Sequence, residues 1–141
     1  LFHTLGEEKS ALRLAEKIVD QRKIKSIKTT LELAQLIEKY VVGNGKIHPA
    51  TKVFQALRMA VNSERDELKA ALPSALSKLK TGGILAIISF HSLEHAIIED
   101  FFHNSKELSI ITTTILATST HEIARNPRSR SAKLRVARRT T

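Results

Sequence analysis

Six consecutive residues bring together groups that could do chemistry. Ser89-Phe90-His91-Ser92-Leu93-Glu94 set two hydroxyls, an imidazole, a carboxylate and an aromatic ring side by side. They follow the apolar run Ile84-Leu85-Ala86-Ile87-Ile88, which Gly82-Gly83 introduces. That run reads as a strand buried on both faces, as in a parallel sheet covered by helices. The six residues then occupy its carboxyl end, where open α/β sheets bind ligands. Hydroxyls and an imidazole there can accept hydrogen bonds or move a proton, and Phe90 can stack on a planar ligand. A structural reading competes: Ser92 caps the next helix, Glu94 suits its dipole, and His91 is a satisfied structural histidine. No Gly-x-Ser-x-Gly elbow surrounds either serine, which argues against a serine hydrolase. His91, His95 and His103 have ligand-like spacing, but there are no cysteines and the six histidines are scattered, so no metal is expected. Gly43-Asn44-Gly45 lacks the preceding strand that a phosphate-cradling loop needs.

A second set of polar residues lies on a helix that Pro49 opens and that runs to about residue 62. Val53, Phe54, Ala56, Leu57, Met59, Ala60 and Val61 cover most of its circumference. One polar line is left, Thr51, Gln55, Arg58 and Asn62, at spacings of four, three and four. A helix apolar nearly all round is mostly buried, so the line is expected to face an internal cleft or a fixed network. Alternatively, Gln55 and Arg58 satisfy the backbone of neighbouring loops.

The third feature is charge. Lys plus Arg number 23 against 14 acids in 141 residues, a formal +9, which favours an anionic partner and nucleic acid first. The excess concentrates in Arg125, Arg128, Arg130, Lys133, Arg135, Arg138 and Arg139, opposed within residues 122–141 only by Glu122. A solubilising tail is the plain alternative. With 42% apolar residues the chain can build a core, which excludes a disordered polypeptide. No apolar run reaches the ~18 residues of a membrane span, and Leu1-Phe2-His3-Thr4 does not open a secretory signal, so a cytoplasmic setting is expected, or an organellar matrix in a eukaryote.

The elements that must position these groups follow from periodicity. Residues 7–22 read as an amphipathic helix with Glu7 and Glu8 in its first turn. A basic connector, residues 23–28, leads to a helix that Thr29 and Glu32 open as a capping box. Gly43-Asn44-Gly45 breaks it. Residues 63–79 are helical again, with Pro73 as a kink. Another helix follows the apolar strand directly, from about residue 92 to 103. The Ile- and Thr-rich residues 108–118 form a second strand, and residues 132–137 a third, with Leu134 and Val136 inward and Lys133 and Arg135 outward.

Four segments carry a resemblance. His48-Pro49-Ala50-Thr51-Lys52-Val53-Phe54-Gln55-Ala56-Leu57-Arg58-Met59-Ala60-Val61-Asn62, Ile88 to Glu94, Asn126 to Ala137 and the shorter Gly6-Glu7-Glu8 resemble blocks of the MraW/RsmH family. These are AdoMet-dependent 16S ribosomal RNA cytosine N4-methyltransferases. Two places depart from the family pattern: His95 and Ala96 stand where an acid and an arginine are usual, and Glu99 and Asp100 where a lysine is common. The resemblance covers the C-terminal half only. It implies an α/β fold: the C-terminal part of a class I, Rossmann-like methyltransferase sheet, with its first strands missing. Residues 48–141 would belong to that domain and residues 1–47 to a partial, substrate-recognition-like helical subdomain. It implies S-adenosylmethionine as cofactor, with binding residues upstream of Leu1 and none in this chain. The partner it implies is small-subunit rRNA near the decoding centre, and it leaves a homodimer open.

An exocyclic amine is a poor nucleophile because its lone pair is delocalised into the ring. A site for it must hold the base and accept hydrogen bonds from the amino group. Ser89, His91 and the amide oxygen of Asn62 are the expected acceptors and catalytic candidates. Phe90 would stack on the base, and Gln55, Arg58, Arg128, Arg130 and Arg135 are the expected substrate contacts, Arg130 or Arg135 partly serving structure. Two other readings stand beside this one: a non-catalytic RNA-binding fragment or degenerate relative without the cofactor site, and a ribosome-associated protein with no enzymology.

Overall fold

The computed structural model describes residues 1–42 and 47–141. The expected helix break at Gly43-Asn44-Gly45 lies outside the described residues. The chain forms two compact units, Leu1–Ser63 and Glu64–Thr141, so the boundary expected at residue 47 falls inside the first.

The first unit is helical: α1 (Phe2–Gly6), α2 (Ala11–Ile24), α3 (Thr30–Tyr40) and α4 (Thr51–Val61). Glu7 and Glu8 do not open α2 as expected. Glu7 is the left-handed cap that ends α1, at φ 48°, and the Glu8 carboxylate accepts from Ser10 N–H at 2.8 Å. The turn they make brings α1 against α4 so closely that a Cβ on Gly6 would stand 2.6 Å from the Lys52 carbonyl oxygen. Helix α3 starts as expected. The Thr29 hydroxyl accepts from Glu32 N–H, and the Glu32 carboxylate accepts from Lys28 and Thr29 N–H at 2.7 and 3.1 Å. Those backbone donors, Lys28 first, hold the Glu32 carboxyl below the usual carboxylate range. Leu14, Ile37, Val41, Ala50 and Val53 form the core of this unit. Helix α4 buries one face, Val53, Ala56 and Met59, whereas Val61 is 83% exposed. The burial is less complete than expected, since Arg58 and Val61 are exposed while Phe54 and Leu57 pack against the core only in part.

The second unit holds α5 (Glu64–Lys78), β1 (Ile84–Ser89), α6 (Ser92–Asn104), β2 (Leu108–Ile110), β3 (Leu116–Ala117), α7 (Thr120–Arg125), a 3-10 turn (Pro127–Ser131) and β4 (Lys133–Arg139). Helix α5 accommodates Pro73 in its interior. The sheet is small and antiparallel, in order β1-β4-β2, with β3 also on β4. Ile84 faces Arg138 and Ser89 faces Lys133. Leu72, Ile98, Phe102 and Ala137 form the core, with Leu85 and Ile87 packed against it.

Three strand expectations need correction. Strand β1 is neither parallel nor covered on both faces: it pairs antiparallel with β4, and Ile84 and Ile88 are 47% and 57% exposed. Residues 108–118 form two short strands instead of one, because Ile111 and Thr112 both donate to the Val136 carbonyl and end the ladder there. The β4 register is inverted: Arg135 and Ala137 are buried, while Leu134 and Val136 lie on the open face. Ala137 belongs to the core under the helices, and Arg135, on the same face, is drawn inward by its partners.

Candidate functional site

The loop after β1 is shaped by the cap of α6. Its cap residue is His91, not Ser92: imidazole Nδ1 accepts from Glu94 N–H at 3.3 Å. Glu94 reaches back so that its carboxylate accepts from Phe90 N–H at 2.9 Å. Both flanks of Phe90 are thus tied down, and its ring is presented outward, 52% exposed. Acceptance at Nδ1 puts the ring proton of His91 on Nε2, which lies 3.2 Å from Glu94 Oε1 without the alignment of a hydrogen bond. That nitrogen is buried, so His91 shapes the loop and does not face a ligand.

Glu64, His91 and Glu94 bring three potential ligand atoms within 4.8 Å of one another. In this structure Nδ1 of that imidazole is engaged by the Glu94 N–H of the α6 cap.

Ser89 is 2% exposed, so its hydroxyl faces the interior and not a ligand. It stands 3.4 Å from Nδ1 of His95, itself 6% exposed. His95 Nε2 lies 3.9 Å from Glu99, whose other carboxylate oxygen pairs with Arg135. Arg135 also donates to the Thr112 carbonyl at 3.0 Å. Ser89, His95, Glu99, Arg135 and Thr112 thus form one polar chain linking β1, α6, β4 and the residues after β2, buried except at Glu99, whose side chain is 41% exposed. Residue types and spacing had given His95, Glu99 and Thr112 no role. The signal available was the four-residue spacing of His95 and Glu99, one turn apart on the helix that follows Ser89.

Burial disfavours the charged imidazole, and Lys133 and Arg135 add to it against the opposing Glu99, so the pKa of His95 lies below the ordinary value. The unfolded chain then binds the extra proton more readily than the folded one. The stability this histidine confers is full above the ordinary imidazole range and falls as pH drops through it toward the lowered folded value. Thermal midpoints measured from about pH 7.5 down to about 5.5 should decline in the parent chain, with a shallower decline in His95→Gln. Equal slopes would remove His95 as the cause.

The remaining candidates fall into two groups. In the first unit, Arg58 and Asn62 are exposed and line an open cleft of about 520 Å³ with Leu33, Phe54 and Leu57. Gln55 is half-buried, its amide 3.9 Å from Met59 Sδ. The polar line of α4 therefore does not face one internal cleft. In the second unit, Arg128 and Arg130 project from the 3-10 turn, which buried Ser129 anchors: its hydroxyl donates to Asn126 O at 2.7 Å, and its carbonyl accepts from Thr118 at 2.6 Å. Arg125 and Arg138 are also exposed. Arg135 is committed to the interior, and Arg139 binds the Leu76 and Leu79 carbonyls at the end of α5 and Glu107. The structure thus brings Ser89, Phe90 and His91 together in the second unit, while Gln55, Arg58 and Asn62 belong to the first.

The "Ribosomal RNA small subunit methyltransferase H" of Coprothermobacter proteolyticus is 48% identical over 139 residues, 96% of this chain and 46% of that protein. The same-named proteins of Persephonella marina and Gloeothece citriformis are 48% and 47% identical, over 95% and 99% of the chain and 48% and 46% of their own lengths. The chain spans about half the length of these curated relatives. The sequence profile of the MraW methylase family matches residues 1–140, and the chain belongs to that family.

Proposed function

We propose that the chain is the RNA-engaging C-terminal part of an enzyme that methylates the exocyclic N4 of a cytidine in small-subunit rRNA near the decoding centre, with S-adenosylmethionine as donor. The observation that carries this reading is the presented ring of Phe90 at the carboxyl end of β1, exposed between two backbone positions locked by the α6 cap. An aromatic ring so fixed suits a base drawn out of its helix. The names of the relatives supply the substrate class.

The residues present do not fit a cofactor cradle. Ser89 is turned inward where β1 ends, and the turn after it, Phe90-His91, has no glycine to let a ligand approach the backbone. The donor's contacts are assigned to residues outside this sequence. Strand β1 supports this: it is an apolar edge strand with Ile84 and Ile88 uncovered, as expected of a sheet that further strands and another layer complete. In this reading His91 holds the loop through its cap of α6, Ser89 positions it through His95, and Arg128 and Arg130 contact phosphates, as does Arg58 in the first unit.

Calorimetry on the 141-residue chain should show no AdoMet binding. Joined in one polypeptide to the other half of a family member, it should transfer labelled methyl groups to small-subunit RNA. Phe90→Ala should then cut kcat/KM roughly 5- to 150-fold, the worth of one base–aromatic stack, while Phe90→Tyr retains most of it. Micromolar AdoMet binding by the chain alone, or an unaffected Phe90→Ala, would overturn the assignment. RNA binding without transfer in the joined protein would favour the non-catalytic relative.

A further inference from the structure

The last turn of α2 and the connector that follows it to α3 have a composition that the helices do not account for. Arg22, Lys23, Lys25 and Lys28 are exposed within seven residues, and between them Ile24 is 84% exposed. Cations suit the carboxyl end of α2 through its dipole. Lys23 pairs with Asp20 at 3.5 Å and Lys25 with Glu32 at 3.3 Å, both lysine side chains more than 70% exposed, where such pairs hold little. Neither effect explains a β-branched apolar residue held in water among four positive charges.

The segment is also fixed in place. Lys25 N–H closes α2 on the Gln21 carbonyl, and Lys28 N–H is bound by Glu32 of the α3 capping box. Lys28 then passes from the connector into the open cleft of about 520 Å³ that Arg58 lines within the same unit. A rigid tip with an apolar point, flanked by cations and continued by a cleft with cations on its rim, is complementary to a polyanion whose apolar faces can be uncovered. Single-stranded or looped RNA has that chemistry. An anionic bilayer shares the charge, but one isoleucine buries too little apolar surface to hold a membrane.

We propose that the end of α2 and the connector to α3 form an RNA-contacting surface separate in sequence from the arginine-rich segment: Arg22, Lys23, Lys25 and Lys28 meet phosphates, and Ile24 packs against an unstacked base beside them. This rests on the reading that the partner is RNA.

The test uses the 141-residue chain and a labelled 30-nucleotide hairpin RNA with a single-stranded loop, titrated over a range of salt. Arg22→Gln/Lys28→Gln should lower the log–log salt slope by roughly 1.4, about 0.7 for each phosphate that is no longer neutralised. Ile24→Ser should weaken binding several-fold at every salt concentration and leave the slope unchanged. Circular dichroism should show both variants folded, since the replaced side chains are exposed. If both bind as the parent does while Arg128→Gln/Arg130→Gln weakens binding, the connector is not a contact and the RNA reading stands without it. If the parent binds no RNA, the reading and the connector fall together. Ile24-dependent binding to phosphatidylserine vesicles with unchanged RNA affinity would identify a membrane surface and overturn the proposal.

Discussion

Arg135→Ala is expected to destabilise the second unit by about 2–3 kcal/mol and to leave the salt dependence of RNA binding as it was. Arg135 is 7% exposed, and its guanidinium serves Glu99 and the Thr112 carbonyl at once. Removing it strands the carbonyl of Thr112, itself 7% exposed, and unties Glu99 from the strand it holds. Urea unfolding should show a lower midpoint at unchanged slope. Arg135→Lys should recover only part of the loss, since one ammonium cannot reproduce the forked geometry. A stability loss under about 1 kcal/mol together with a reduced salt slope would mean that the guanidinium serves RNA.

A larger loss is expected from Phe102→Ala, about 3–5 kcal/mol. The ring is 2% exposed, packed with Leu72, Ile98 and Ala137 and lying 6.3 Å from the Phe101 ring centroid. Its deletion opens a void where α6 meets β4, with no flexible neighbour inside the cluster to fill it. Because α6 also carries the cap that presents Phe90, the damage should be visible as faster amide exchange at Phe90 and Glu94, whose N–H groups that cap engages. Phe102→Leu should cost much less, and a loss under about 1.5 kcal/mol in the alanine variant would show that the core collapses around the site.

Local signals in the sequence were legible and long-range ones were not. The Thr29–Glu32 capping box needs only residues three apart, and it forms as read. The helix after Ser89 starts where its sequence says, but the cap passed from Ser92 to His91, because an imidazole one residue earlier reaches the same N–H. Alternation in β4 correctly marked a strand, yet the parity came out reversed. The usual rule sends Leu134 and Val136 inward, but the covered face holds Ala137 and a charged residue whose partner, Glu99, lies 36 residues away on α6. Nothing local announces such a pairing. The unbroken apolarity of β1 fits a strand covered on both sides, and the second unit covers only one. Of the site, the presented ring and the outward Arg128 and Arg130 could be read from residue type, whereas the buried commitments of Ser89 and Arg135 could not.

The order in which the strands appear along the chain has a consequence for how the protein is made. Among the described residues β1, β2 and β3 all pair with β4, which comes after them, so Ile84 waits for Arg138 before its ladder can close. On the ribosome, the first unit can assemble from neighbouring helices while the second is still emerging. In the second, α5, α6 and α7 are made before the β4 ladder can close, which waits until Lys133–Arg139 is translated. Its folding is therefore late, non-local and slow, and the interval before β4 arrives is when the nascent chain most needs a chaperone's cover.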